Sequence, residues 1–351
     1  GDEVSGDTGI LGHASAVLVT ADGTAYGADG AGGTPVFSLQ VSSSGVDSGL
    51  DTTTGTSIYL FDNAGVIEGR VGGEAGAVAF SFEINAPTGE VELTQYLSLY
   101  NSDDTDHNDP MYLGKGALLA SVSVTDGDGD VAADTVDVSG MFVFYDDGPD
   151  AQAKTGEVAG STTLDETGGL DTVYISAVDI AGLFETPDHG EDGAGEVTYT
   201  LSATDGAATG LWLTGESAAA DEIELVKISD YQYEGWTGGD TVSGTKAFTI
   251  SIEESTGKVT VTQHETLEHT TDGPEGPAHD DALYLTGDAA IKVVQKVTDA
   301  DGDYDTATST NALSITFYDD GPDAQAKTGE VAGSTTLDET GGLDTVYISA
   351  V

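Results

Sequence analysis

Apolar and polar residues alternate strictly through several short stretches of the chain. Residues 77–95 and 246–263 each contain such a stretch, in which every second side chain is apolar on both sides of a Thr-Gly pair. Period-two alternation is typical of a β-strand with one buried face, and turn residues between two such strands predict a β-hairpin. We find no convincing amphipathic helix longer than about two turns. The pattern therefore predicts an all-β protein built from β-sandwiches.

The pattern occurs twice because the chain is a tandem repeat. Phe144–Val178 returns letter for letter as Phe317–Val351, an offset of 317 − 144 = 173 residues. An identical copy of this length indicates a segment of a tandem array. We therefore expect unit one at residues 1–152, unit two at 153–325, and the opening strand segment of a third unit at 326–351.

The charge balance changes what this array is expected to bind. Asp and Glu number 63 against 9 Lys and Arg, which gives a formal net charge of −54, and the chain has no Cys. Nucleic acids and anionic membranes are excluded as partners because both require basic patches. No apolar run approaches the length of a membrane-spanning helix, so membrane insertion is not expected. A divalent cation is the obvious means of offsetting the self-repulsion of this charge.

The acidic residues cluster in three motifs at the ends of the units: DxDGD, YDDGPD and LDETGGLD. In an extended chain alternate carboxylates fall on one side, where they cannot stay close and charged without a cation. Oxygen ligands without Cys favour Ca²⁺. The candidate Ca²⁺ ligands are Asp126, Asp128, Asp130, Asp146, Asp147, Asp150, Asp165, Glu166, Asp299, Asp301, Asp303, Asp319, Asp320, Asp323, Asp338 and Glu339.

These motifs lead to the hypothesis that Ca²⁺ cross-links and stiffens the junction between units. The alternative is that the Asp-Gly runs are solvated turns. The DxDGD loops are not EF-hands, because Val131 and Tyr304 stand where an EF-hand loop requires Gly. His107 and His279 lie in acidic loops, where they could bind a metal or, more simply, a nearby carboxylate or backbone group.

No enzyme motif is complete in this sequence. The segment from His264 to His269, HETLEH, fails the HExxH and HxxEH zinc motifs by one position each. The Asp-Thr-Gly at residues 7–9 has no partner of the kind an aspartic protease needs. Trp212 and Trp236 could stack on a sugar, although such residues more often fill or cap a core. The chain is therefore expected not to be an enzyme.

The ordered set of motifs resembles the large repeat modules of type I-secreted RTX adhesins and agglutinins. The set comprises a hairpin with a Thr-Gly turn, an Asp/His loop, DxDGD and then YDDGP, and it occurs in both units. The resemblance implies a giant bacterial surface or biofilm-matrix protein that folds outside the cell in Ca²⁺. It also implies tandem Ig-like or cadherin-like β-sandwich modules, joined by calcium-binding linkers, that act as extenders for adhesive domains.

Two other functions stay open from the sequence. The segment at 326–351 could complete a neighbouring repeat or another copy of the chain by β-strand addition, which would make the protein a subunit of a matrix filament. The chain could also be a Ca²⁺-dependent glycan-binding module that uses its tryptophans. The expected partners are therefore neighbouring repeats of the same chain and other copies of it.

Overall fold

The computed structural model of the protein describes residues 9–101, 110–145, 147–156, 160–271 and 281–320. Nearly all regular structure in these ranges is β-strand, as the alternation predicts. The strands of unit one are β1 (Gly12–Val17), β2 (Val36–Val41), β3 (Val46–Asp51), β4 (Ser57–Asn63), β5 (Val66–Val71), β6 (Val78–Ile84), β7 (Glu90–Gln95), β8 (Met111–Tyr112), β9 (Leu118–Thr125), β10 (Val131–Asp137) and β11 (Val143–Phe144).

Among the described residues, unit two repeats this series and contains one more strand and one short helix, α1 (Ala177–Ala181). Its strands are β12 (Ser161–Asp165), β13 (Thr172–Ile175), β14 (Ala194–Ser202), β15 (Ala207–Ala208), β16 (Ile223–Ser229), β17 (Gln232–Thr237), β18 (Lys246–Ile252), β19 (Val259–Gln263), β20 (Ala282–Tyr284), β21 (Lys292–Asp299), β22 (Tyr304–Thr308) and β23 (Ser314–Tyr318). Within the described ranges no helix is both long enough and apolar enough to cross a membrane.

The two predicted hairpins are confirmed. Strands β6 and β7 pair antiparallel, as do β18 and β19. The Gly of each Thr-Gly turn has a positive φ, 72° at Gly89 and 74° at Gly257, which is a conformation that favours glycine. The local pattern of the sequence is therefore sufficient to set both the strands and the turn between them.

Both units build their sheets in the same order. Unit one has a six-stranded sheet, β1-β7-β6-β5-β4-β3, and a three-stranded sheet, β10-β9-β2, with β11 and β8 as a separate pair. Unit two has the equivalent sheets β13-β19-β18-β17-β16-β15 and β14-β21-β22. Its third sheet, β12-β23-β20, contains a parallel pair in which β12 lies beside β23. The chain is thus two tandem all-β sandwich units.

Two strands rather than one follow the DxDGD turn of unit one. In unit one the strand breaks between β10 and β11, where a 3₁₀ turn at Ser139–Met141 moves the chain from one sheet to another. The Ser139 hydroxyl donates to the carbonyl of Leu118 (3.2 Å) and accepts its N–H (3.0 Å). Where the chain passes from one sheet to the other, a side chain therefore takes the place of backbone hydrogen bonds between strands. The alternation of apolar and polar residues does not reveal this break.

Each unit has its own hydrophobic core. The buried residues of unit one form one cluster, and those of unit two, together with Ala151 of the linker, form another. A cross-strand pair recurs in both, with Gly69 opposite Phe80 and Gly235 opposite Phe248. A Cβ atom on either glycine would overlap the phenylalanine ring, so the ring covers the space that a side chain would occupy. Each unit therefore packs its strands around a core of its own.

Candidate metal centre

The DxDGD motifs form the same hairpin turn in both units. In unit two the turn joins β21 to β22, and the Asp299 N–H donates to the carbonyl of Asp303 over 3.0 Å. The Oδ1 atom of Asp299 accepts the N–H of Gly302 (3.0 Å), whose φ of 117° favours glycine. Asp126 and Gly129 make the same contact in unit one at 3.1 Å. The turn therefore uses only one carboxylate oxygen of Asp299.

A third carboxylate, which sequence reasoning missed, reaches this turn from the start of β14. Ala194, the first residue of β14, pairs with Asp299. A Cβ atom at Gly195 would overlap the Asp299 carbonyl, so glycine permits the close approach that brings Asp192 beside the turn. One carboxylate oxygen from each of Asp192, Asp299 and Asp301 lies within 4.8 Å of the others.

This acidic cluster is largely buried, and two of its carboxylate oxygens accept no hydrogen bond from the described residues. Asp192, Asp299 and Asp303 are 8%, 3% and 1% exposed. The Oδ2 atom of Asp299 and the Oδ1 atom of Asp301 are buried, and no N–H or O–H of the described residues donates to them. Burial, together with the closeness of Asp301 and then of Asp303, raises the pKa of Asp299 to about 7. Carboxylates this close must share a proton or bind a cation, and their oxygens suit Ca²⁺.

The raised pKa of Asp299 predicts the pH dependence of stability without metal. A carboxyl whose pKa rises on folding, here from 3.8 to about 7, stabilises the fold fully below the unfolded value and loses that contribution as pH rises through the folded value. In Ca²⁺-free buffer we therefore expect the melting temperature to fall between about pH 5 and about pH 7.5. Calorimetry checks this, and Asp299→Asn should flatten the slope; a wild-type melting temperature that rises with pH would contradict the assignment.

Unit one contacts unit two beside the acidic cluster. Asn101, which follows β7 and is 1% exposed, donates its backbone N–H to the Oδ2 atom of Asp301 over 3.3 Å. The Ser98 hydroxyl donates to the carbonyl of Glu191 over 3.0 Å. These two hydrogen bonds cross from unit one to unit two. The acidic cluster therefore lies at the interface between the units.

The linker from the YDDGPD motif runs past the same segment of unit two. The Asp150 N–H donates to the carbonyl of Asp188 over 3.1 Å. A Cβ atom at Gly190 would overlap the carbonyl oxygen of Asp147, so the linker backbone lies directly against this turn. Ala151 packs in the core of unit two. Asp147 and Asp150 thus lie close to the segment that carries the buried cluster.

Unit one carries an equivalent cluster that stands open to solvent. Ligand oxygens of Asp29, Asp126 and Asp128 lie within 4.8 Å of one another, and both Asp29 and Asp128 are exposed. The sequence signal for the third carboxylate is a short motif that both units share, GADGAG at 27–32 and GEDGAG at 190–195. This match identifies the missed aspartates by comparing the units.

A second buried cluster lies at the other end of unit two. Ligand atoms of Glu166, His269 and Asp319 lie within 4.8 Å of one another. Glu166 accepts the N–H of Leu267 (3.0 Å) and a side-chain N–H of Gln263 (2.5 Å). Burial nevertheless raises the pKa of Glu166. Sequence reasoning proposed the two carboxylates but treated the histidine as part of a failed zinc motif.

The other predicted ligands hold local turns. The Oδ1 atom of Asp165 accepts the Thr167 N–H (2.9 Å), and hydrogen bonds from Thr167 lower the Asp165 pKa. The Asp130 carbonyl closes its hairpin turn, and the Asp320 N–H donates to the preceding carboxylate. Outside the described residues lie Asp146, Asp323, Asp338, Glu339, His107 and His279.

The two tryptophans are engaged within unit two. The indole N–H of Trp212 donates to the carbonyl of Ala218 (3.0 Å), and that of Trp236 donates to Glu234 (2.8 Å). The Lys246 amine lies 5.7 Å from the centre of the Trp236 ring. Both indole N–H groups are therefore used inside the chain.

Comparison with known proteins identifies the family. Among solved structures, the chain is similar to extracellular cadherin domains 3–6 of protocadherin gamma B2 (10% identity, TM-score 0.23), with 82% of this chain and 51% of that chain covered. It is similar to the protocadherin gamma B4 extracellular domain (13% identity, TM-score 0.20), with 81% and 33% covered. No curated protein matches the chain in sequence. A family model described as "Domain of unknown function (DUF5801)" matches residues 2–139 and 161–311, and the chain therefore belongs to that family.

Proposed function

We propose that this protein is a non-enzymatic structural extender whose units are joined by Ca²⁺ at their junction. The observation that carries the proposal is the close group of Asp192, Asp299 and Asp301, in which the Oδ2 atom of Asp299 and the Oδ1 atom of Asp301 are buried and accept no hydrogen bond from the described residues. Asn101 of unit one supplies the contact that encloses it. A cation bound there would fix the Asp301 carboxylate that the Asn101 N–H contacts, and its binding would stabilise the docked arrangement by mass action.

The ion fits the donor set. All three ligating side chains are carboxylates, and Ca²⁺ takes 6–8 oxygen ligands at about 2.3–2.6 Å, including backbone carbonyls and waters. Three carboxylates would supply part of that shell. Extracellular modules commonly bind Ca²⁺ at about 10⁻⁴–10⁻³ M, and a cytosol would leave these carboxylates without the ion. The proposal therefore includes an extracellular location, at a bacterial surface or in a biofilm matrix, as in the RTX adhesins that the sequence resembles.

Small-angle scattering of the full chain during a Ca²⁺ titration tests this function. We expect the particle to become stiffer and its maximum dimension better defined as Ca²⁺ rises to about 1 mM, because the ion holds in place the carboxylates against which unit one docks. Chelator should reverse the change, and Mg²⁺ at the same concentration serves as the control for ionic strength. A scattering profile that does not respond to Ca²⁺ would refute the calcium-stiffened junction.

A second candidate function, assembly into filaments by strand addition, is favoured by one pairing. Strand β12 lies parallel to β23 along the edge of unit two. The sequence of β12, STTLD, recurs at residues 334–338, outside the described residues. A strand formed there would need a partner equivalent to β23, and that partner would come from a third unit or from another copy of the chain. Light scattering in Ca²⁺ separates the two functions: polymers that disappear when residues 326–351 are removed favour the filament, and a strict monomer favours the extender.

A further inference from the structure

The cluster at the far end of unit two contains a histidine at the position where unit one has an asparagine. Gln95 and Gln263 end equivalent strands, and each donates its side-chain amide to a carbonyl two residues later at 3.1 Å. Each is followed four residues later by a leucine that is 2% exposed. This register aligns Asn101 with His269. At this position unit one therefore offers an amide side chain and unit two an imidazole ring.

The His269 ring is buried. The residue is 8% exposed, and neither Nδ1 nor Nε2 bonds to any of the described residues. A buried neutral imidazole has one donor and one acceptor to satisfy, and buried polar atoms in folded proteins are nearly always paired. One of its ring nitrogens lies within 4.8 Å of ligand oxygens of Glu166 and Asp319. Within the part of the chain that the structure describes, the ring thus has no hydrogen-bond partner, and it lies where two carboxylates come together.

We propose that Glu166, His269 and Asp319 bind a first-row transition-metal ion such as Zn²⁺. Imidazole nitrogen suits Zn²⁺ and its neighbours in the first row, whereas Ca²⁺ takes oxygen ligands. The mixed nitrogen and oxygen set therefore selects against the ion proposed for the junction of units one and two.

The number and kind of ligands are those of a zinc site with one position open. Zn²⁺ is bound by His nitrogen and carboxylate oxygen at about 2.0–2.2 Å, so tetrahedral ligands lie about 3.4 Å apart. The three ligand atoms lie within 4.8 Å of one another, so a small movement of the side chains would bring them to the spacing that Zn²⁺ requires. Three protein ligands leave a fourth position for water or for another group.

Neighbouring backbone contacts hold two of the ligands in place. The Glu166 carboxylate is fixed by the N–H of Leu267, two residues before His269. The Asp281 carbonyl accepts the Asp319 N–H over 3.1 Å, which ties the third ligand to the sheet. These contacts lie within unit two, so the site does not depend on the Ca²⁺ junction or on the proposed extender function.

Zn²⁺ titration of the full chain in saturating Ca²⁺ tests the site, because Ca²⁺ keeps the all-oxygen sites occupied. Changing even an outer-shell partner lowers metal affinity by about 10- to 100-fold, so we expect His269→Asn to weaken Zn²⁺ binding by at least about 100-fold. His264→Asn is the matched control, since that ring bonds the Thr249 hydroxyl at 2.9 Å. Co²⁺ serves as a spectroscopic probe, whose visible absorption should lose its imidazole contribution only in His269→Asn.

Two results would overturn the proposal. One is that the wild-type chain binds no Zn²⁺ in the presence of Ca²⁺. The other is that His269→Asn binds Zn²⁺ as tightly as wild type, with the same Co²⁺ spectrum. If His269→Asn does not fold by circular dichroism, Asp319→Asn replaces it, because Asp319 is only partly buried. We expect that variant to weaken Zn²⁺ binding, and unchanged affinity would count equally against the site.

Discussion

Replacing Asp299 by asparagine is expected to remove most of the Ca²⁺-dependent rise in melting temperature. At a Ca²⁺ concentration 100 times the Kd, one bound ion adds about 2.7 kcal/mol to stability. For a domain of this size each kcal/mol corresponds to about 2–4 °C, so the lost increment is roughly 5–11 °C. Calorimetry with and without chelator measures the increment.

The same substitution is expected to act in the opposite direction without Ca²⁺. In wild type, burial and the nearby Asp301 disfavour the charged form of Asp299 and raise its pKa to about 7. The neutral asparagine amide removes that penalty, so the variant in chelator at about pH 7.5 should melt at or above the wild-type temperature. A merely structural role for Asp299 would instead lower the melting temperature under both conditions.

Asp126→Asn is the matched control, because Asp126 occupies the equivalent position in unit one. Its cluster partners Asp29 and Asp128 are exposed, whereas Asp299 and Asp192 are buried. We expect this control to lose much less Ca²⁺-dependent stability than Asp299→Asn. Equal losses from the two variants would show that enclosure by unit one contributes nothing to binding.

Replacing Phe248 by alanine is expected to lower the stability of unit two by about 3–5 kcal/mol, the usual cost of a buried Phe-to-Ala change. The ring is fully buried, lies 5.4 Å from the ring of Phe317 between centroids, and covers the backbone of Gly235. Its removal leaves a cavity whose floor is a residue with no side chain to fill it. The surrounding residues can therefore fill little of that cavity, and we expect the loss of stability to reach the stated range.

Denaturant unfolding in chelator should show this loss in one transition only. Because the cores of the two units are separate, the transition of unit one should keep its midpoint. Val242→Ala is the control in unit two, since Val242 is 93% exposed, and it should change stability by less than about 0.5 kcal/mol. A single transition that shifts as a whole would show that the units unfold together, against our expectation.

The local alternation of apolar and polar residues predicted the hairpins and their turns. The candidate metal sites depend instead on packing between segments that are far apart in the sequence. Alternation over residues 246–263 sets β18, its turn and β19 because both depend only on neighbouring residues. Asp192 joins Asp299 from a distant part of the chain, through a close approach that Gly195 allows. One sequence does not show that two distant segments lie close together, although the GxDGAG motif that both units share marks the position of Asp192.

Two other features depended on tertiary context. The strand break at Ser139 follows from a side chain that bonds the backbone of β9 and replaces part of the ladder. The burial of His269 follows from the packing around the end of β19, where its distance from Glu166 and Asp319 decides what it can bind. In the sequence it was one letter in an incomplete zinc motif, so its partners could not be found from spacing.

The junction between the units joins two unlike surfaces, the Asn101 end of one unit and the Asp301 turn of the next. Contacts between unlike surfaces are not self-limiting, because each added unit leaves a new free end of the same kind. A series of such units would have a direction, with one terminus chemically distinct from the other. Its reach would be set by how many copies the gene encodes, and any mechanical load would pass through every junction in turn.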